Sequence, residues 1–247
     1  SLVEPGRARL GWTGDPPLDF SQAAERERMV NALTAVRAQL GRTYPLLLAD
    51  QTVEAPEVVI SCSPAHPAEV IGKVSVGGLT EVHHAIQRAQ EAQPRWAKRA
   101  ITERVTCLRR AAGLIRERRY ELAAWEVFEV GKTWREADAD IVETIDYLEY
   151  YSRCMMELAA GKSLFQVPGE RNAYVYTPRG VAVVIAPWNF PAAILTGMAS
   201  AALVTGNTVI LKPAEQSSVI AFHITQILRE AGVPPAVLQC LPGMGHE

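Results

Sequence analysis

Apolar residues recur along this chain with two different periods. From residue 80 to about residue 159 they return every three to four positions, which predicts helices almost throughout. Val105, Leu108, Ala112 and Ile115 would face inward on one helix. Leu122, Trp125 and Phe128 would do so on the next, which runs up to Gly131, and Ala137, Ile141, Ile145 and Leu148 on a third. Thr133-Trp134-Arg135-Glu136 matches a capping box at the start of that third helix. Thr80 is expected to cap the first helix of the series, and Pro94 to end or kink it. An earlier helix is predicted over residues 21–40, with Met29, Leu33, Val36 and Leu40 on one face and Gly41 as its stop.

After Gly180 the period changes. Val181, Val183, Val184 and Ile185 form a near-continuous apolar run, the pattern of a strand (residues 181–186) covered on both faces of a parallel sheet. A polar turn, Pro187-Trp188-Asn189-Phe190-Pro191, leads into a helix rich in small residues: Ala192, Ala193, Gly197, Ala199, Ser200, Ala201 and Ala202. A second strand is predicted over residues 208–212. A helix carrying Ile220, Ile224, Ile227 and Leu228 follows, with Ser217 as its expected cap and Gly232 past its end. A third apolar run, residues 237–241, reaches Pro242-Gly243-Met244-Gly245. The order β-α-β-α-β is half of a doubly wound dinucleotide fold. The fold class is therefore α/β, a helical N-terminal part followed by a partial Rossmann-like parallel sheet. Four segments result: an N-terminal arm and surface helix (1–55), a helical part (56–160), an extended, hairpin-like segment (161–179) and the half sheet (180–247). Residues 1–20 read as an arm or loop, and residues 44–49 as a strand. Open α/β sheets bind ligands outside the carboxyl ends of their strands, which is where Asn189 sits.

Composition adds mainly exclusions. The 247 residues carry 25 basic and 27 acidic side chains with no run of one sign, which argues against a nucleic-acid partner. Cys62, Cys107, Cys154 and Cys240 are widely spaced with no CxxC pair, which fits a reduced, cytoplasmic chain. No apolar stretch is long enough to span a bilayer. His66, His83 and His84 have no carboxylate or cysteine at metal spacing, so no metal is expected. The chain begins without a Met, as an excised piece would.

PWNFP followed by GNTVILKPAEQ, at this separation, resembles the aldehyde dehydrogenase superfamily, and Ser61-Cys62-Ser63-Pro64-Ala65-His66-Pro67-Ala68-Glu69-Val70-Ile71-Gly72-Lys73-Val74 resembles the entry to its core. Glu129-Val130-Gly131-Lys132 with the helix after it resembles the branch that oxidises glutamate γ-semialdehyde, the open form of 1-pyrroline-5-carboxylate. Aldehyde oxidation needs a thiolate nucleophile, oxyanion donors, a nicotinamide and a base that activates water. The resemblance implies that Asn189 is an oxyanion donor and that Phe190 walls the aldehyde site. It places Ile185, Ala186, Pro187 and Trp188 along the nicotinamide side. Lys212 and Glu215 would hold the adenosine ribose, which favours NAD over NADP. Ala214 and Gly245 would admit close backbone approach, and Gly243 would serve the turn. For Glu129 two readings stand: a helix-end carboxylate paired with Lys132, or a contact to the substrate's amino group.

Two departures qualify this likeness. Where much of the superfamily has a lysine nine residues past the Asn, this chain has Met198. The family's nucleophilic cysteine and general-base glutamate fall beyond residue 247, so this chain alone should not turn over. The resemblance implies a homo-oligomer, with residues 161–179 reaching a neighbouring subunit, and either a stand-alone enzyme or a module fused to a proline dehydrogenase. Another aldehyde dehydrogenase, such as one for succinate semialdehyde, and an inactive NAD-binding or oligomerising fragment are the alternative readings.

Overall fold

The computed structural model describes residues 13–49, 51–55 and 57–245, so the expected arm is seen only from Thr13 on. Seven α-helices are present among the described residues. The helical half comprises α1 (Ala23–Arg37), α2 (Leu79–Lys98), α3 (Ile101–Glu117), α4 (Arg119–Val130) and α5 (Trp134–Ala159). Most inward residues expected from periodicity are buried: Met29 and Val36 on α1, Leu108 and Ile115 on α3, Trp125 on α4, Ile141, Ile145 and Leu148 on α5; Leu33 is only half-buried, and Leu40, also half-buried, lies past the end of α1. Thr133 and Glu136 form the expected capping box, Glu136 N–H donating to Thr133 Oγ1 and Thr133 N–H to Glu136 Oε2.

The start of α2 differs from expectation. Its cap is Gly78, whose N–H donates to Glu81, and Thr80 lies inside the first turn. The helix also runs through Pro94 to Lys98. Packing explains this: Trp96, beyond the proline, is buried and donates its indole N–H to the carbonyl of Leu203, which ties the last turn to the core.

Strands β1 (Arg42–Tyr44) and β2 (Leu46–Leu48) replace the one strand expected over residues 44–49. Pro45 between them has no N–H for a ladder. The chain changes sheets there. β1 pairs in parallel with β5 (Val70–Ser75), which pairs antiparallel with β4 (Val58–Cys62), giving a three-stranded sheet. β2 instead joins a five-stranded sheet of order β3-β2-β8-β7-β6, with β3 (Gln51–Val53), β6 (Val181–Ile185), β7 (Thr208–Lys212) and β8 (Leu238–Cys240). Within it β6, β7 and β8 are parallel, as expected for the dinucleotide half, whereas β2 and β3 are antiparallel additions. The sheet is mixed.

Helices cover both faces of this sheet. On one face Ala85 and Ala89 of α2 pack on Leu46, Leu48, Ile210 and Leu241. On the other, α6 (Ala193–Val204) and α7 (Ser218–Glu230) meet Leu47, Val209 and Leu211 in the main core. Alternation along β2 and β7 therefore sends neighbouring residues to opposite layers. The segment 161–179 turns at Pro168-Gly169 and is closed by reciprocal bonds between Gln166 and Asn172, but it carries no strand ladder. Residues 13–22, expected as arm or loop, are irregular yet strapped down: Leu18 N–H donates to Asp138, and Asp15 pairs with Arg116.

Candidate active site

The parallel register of β6 and β7 sets Ile185 beside Lys212 and brings both carboxyl ends to one edge of the sheet. Ala186 N–H donates to the carbonyl of Lys212, extending the ladder one residue into the PWNFP turn. Leu241 N–H donates to the carbonyl of Leu211, so the Gly243–Gly245 turn leaves from the same edge. The three turns picked out by the motifs therefore share one rim.

On that rim Ile185 (68% exposed), Trp188 (55%) and Phe190 (41%) are open, while Ala186 is buried under them. Pro187 and Asn189 are exposed too, and among the described residues the Asn189 amide makes no hydrogen bond. It does not bond the turn backbone. A free amide donor beside an open aromatic ring is suited to a developing oxyanion.

At the neighbouring turn Lys212 Nζ lies 3.0 Å from Glu215 Oε1. Burial alone would raise the Glu215 carboxyl, but its own backbone amide, Lys212 and the Gly245 amide outweigh that and hold it below its usual range. Glu215 thus stays ionised, as a carboxylate accepting hydrogen bonds from sugar hydroxyls must. Ala214 precedes the short 3₁₀ turn (Glu215–Ser217) that carries it. Gly245 faces Glu215 closely: a Cβ there would lie 3.9 Å from Oε1. A Cβ at Gly243 would lie 3.5 Å from the carbonyl of Gly77.

Glu129 does stand at a helix end, but it is not the partner of Lys132, which pairs with Glu126 and Asp140. It is buried, and its oxygens accept from the N–H groups of Val219 and Ile220 at 2.8 Å each and from the Ser61 hydroxyl. The carboxylate therefore caps α7 from a distant helix, a task Ser217 was expected to perform; the Ser217 side chain makes no capping bond. Both of its oxygens are thus engaged by the fold. Burial pushes its carboxyl up to about 7 despite those three bonds.

Lys132 is also placed elsewhere than expected. Its ammonium lies 3.0 Å from Glu126 and 2.6 Å from Asp140, both carboxylates fully buried, and 4.9 Å from the centroid of the Phe190 ring. Asp140 Oδ1 in turn accepts from Ala193 N–H at the start of α6. Sequence reasoning missed this group. A signal existed: Glu126 and Asp140 stand on the inward stripes of α4 and α5, four and three residues past Leu122 and Ala137, where carboxylates need partners.

None of the four cysteines lies on the rim. Cys107 is buried on α3, Cys154 sits on α5, Cys62 is exposed on β4, and burial pushes the Cys240 thiol on β8 up to about 11. Met198 is half-open on α6 and helps line an apolar cavity of about 470 Å³ with Tyr147, Tyr151, Val183 and Ile194. A concavity of about 650 Å³ between α2 and residues 234–237 includes none of the motif residues. Among the described residues no three His, Cys, Asp or Glu side chains are grouped to hold a metal, and no helix is long and apolar enough to cross a membrane.

A parallel half sheet with an unpaired amide at its rim defines a class, and the chain is a member of the aldehyde dehydrogenase family, whose pattern matches residues 52–247. It is 46% identical over 233 residues to the 1-pyrroline-5-carboxylate dehydrogenase of Geobacillus thermodenitrificans, covering 94% of this chain and 45% of that one. Among solved structures, the Thermus 1-pyrroline-5-carboxylate dehydrogenase with bound NAD superposes with a TM-score of 0.93 at 40% identity, over all of this chain and 47% of that one. Proline utilization A from Bdellovibrio bacteriovorus superposes at 0.94 and 38% identity, over 99% of this chain and 25% of that one. The chain thus spans about half the length of the 1-pyrroline-5-carboxylate dehydrogenases it matches.

Proposed function

We propose that these residues form the N-terminal half of an NAD-dependent 1-pyrroline-5-carboxylate dehydrogenase, which oxidises glutamate γ-semialdehyde to glutamate. The observation that carries this reading is the exposed, unpartnered Asn189 amide on the same rim as the Lys212–Glu215 pair, in a chain 46% identical to an enzyme of that name. The residues present fit the dinucleotide. Glu215, ionised and partly buried, would accept from both ribose hydroxyls, Lys212 would flank it, and Ile185, Ala186, Pro187 and Trp188 would line the nicotinamide side. When bound, NAD accepts the hydride that leaves the aldehyde carbon.

Asn189 would donate to the aldehyde oxygen as a nucleophile adds to the carbon, and Phe190 would exclude water from one side of it. The nucleophile and the base belong to the part of the enzyme beyond residue 247. Exposed Phe165, Tyr174, Val175 and Tyr176 on segment 161–179 support a homo-oligomeric enzyme, which we place in the cytoplasm, either alone or fused to a proline dehydrogenase.

The test is NADH formation by the full-length gene product with glutamate γ-semialdehyde, succinate semialdehyde and propanal side by side. A preference for the first by an order of magnitude or more in kcat/KM is the expected outcome. Equal or better use of the other two would remove the substrate assignment and leave the family.

A further inference from the structure

We propose that Lys132 is a positioning residue for the aldehyde-binding turn: its ammonium, seated on Glu126 and Asp140, holds the Phe190 ring and thereby the direction in which Asn189 points. The inference rests on the functional reading above for what the turn does, but not for how the turn is held.

The chain reaches this arrangement through Gly131, whose left-handed backbone (φ +70°) ends α4 and turns Lys132 inward instead of out to solvent. A Cβ at Gly131 would come within 2.7 Å of the Pro64 ring, so the turn is closely enclosed. The Lys132 side chain is only 11% exposed, and the carboxylates of Glu126 and Asp140 are not exposed at all. Lysine is rarely buried to this extent without partners. Burial and the nearby Asp140 push the Glu126 carboxyl well above its usual range.

Capping α6 needs none of this. Asp140 Oδ1 does that alone, by accepting from Ala193 N–H at 2.9 Å. What Lys132 adds is its contact with the face of Phe190, a ring on the open rim that has no aromatic partner among the described residues. An ammonium over an aromatic face is attractive through the ring quadrupole. Contacts from one ion pair therefore hold the turn at two places: Lys132 at Phe190, the residue after Asn189, and Asp140 at Ala193. Ile194 N–H donating to the carbonyl of Phe190 closes the span between them. Asn189 itself has no bond to fix it. Its orientation depends on its neighbour.

The experiment uses the full-length enzyme labelled with 5-fluorotryptophan, in which the Trp188 resonance (assigned by Trp188→Phe) reports on the turn without any need for activity. Lys132→Met and Phe190→Leu should each displace and broaden that resonance, and the double variant should add nothing to either single one. Lys132→Arg should restore most of the native signal. Phe190 is exposed, so Phe190→Leu leaves the fold intact even if Lys132→Met does not. With the enzyme's best aldehyde, Lys132→Met should lower kcat by roughly 10- to 100-fold, with KM for NAD within about twofold of native. A Trp188 resonance that ignores both Phe190→Leu and Lys132→Met overturns the proposal, as does an additive double variant. Absence of aldehyde oxidation by the native enzyme, with the spectral changes present, would sink the functional reading and leave the positioning role standing.

Discussion

Three side chains carry charge or hydrogen-bonding capacity where burial or solitude makes it consequential. Asn189 is the simplest: in the full-length enzyme Asn189→Ala should lower kcat about 100- to 1000-fold, with NAD affinity unchanged by equilibrium titration. A loss of less than about threefold would mean that another donor carries the oxyanion. Glu129 has a structural task, so Glu129→Ala strands two N–H groups at the buried start of α7 and should cost roughly 2–4 kcal/mol in urea unfolding. A midpoint equal to the native one would show that the cap adds nothing to stability.

His223 is the third. Its ring stacks on Trp125 at 4.7 Å and meets Tyr44 edge-on at 5.7 Å, and its Nε2 has no partner among the described residues. Burial, with Arg118 and Arg42 nearby, pushes its pKa down to about 4. The unfolded chain therefore binds this proton first, and stability falls as pH drops from about 6.5 to about 4, by up to roughly 3 kcal/mol. Glu129 slopes the other way: its raised carboxyl makes stability fall as pH climbs from about 4.5 to about 7. The two partly cancel in the native protein. The clean measurement is the difference between native and His223→Phe proteins, in which the native one should lose ground steadily from pH 7 to pH 4. A difference that is flat with pH would show that His223 titrates normally.

At the scale of elements, the Thr133 cap is an isolated, readable contribution. Thr133→Ala removes the acceptor for Glu136 N–H and should cost about 1 kcal/mol; Thr133→Ser, which keeps the hydroxyl, should cost less, both read from chemical unfolding. Helices α1, α3, α4 and α5 were legible because a buried stripe writes a period of 3.6 directly into the sequence. So were β6, β7 and β8, whose apolar runs stand between strong turn signals. β4 and β5 were not. On β4 only Ser61 is buried and Ile60 is exposed, and on β5 the exposed Lys73 interrupts a buried run, so neither strand writes a clean alternation. The split at Pro45 was hidden for another reason: proline announces a break, but not that its two sides belong to different sheets. The rim was legible from PWNFP and KPAE, because turn residues are written consecutively. The Glu126–Lys132–Asp140 group was not, because it is assembled from two helices and a loop, and the capping task of Glu129 was not, because the amides it serves lie some ninety residues away.

For the whole molecule, β6 is the edge of the five-stranded sheet, and Val183 (58% exposed) and Ile185 (68%) lie open on it. Doubly wound sheets add later strands beside the first one, so this edge is the natural seat of a further strand. An apolar strand edge left open invites pairing with other chains. The 247 residues expressed alone should therefore self-associate, and Val183→Lys should raise the monomer fraction seen by light scattering. No change in that fraction would place the contact elsewhere, such as on segment 161–179.

The switch at Pro45 bears on how the chain comes apart. Tyr44 is tied to Val74 in one sheet and Leu46 to Val53 in the other, with a single stiff residue between them. Force applied to either sheet passes to its neighbour through one imino ring, with no slack to absorb it. The two sheets are therefore expected to melt together, with a half-open form sparsely populated.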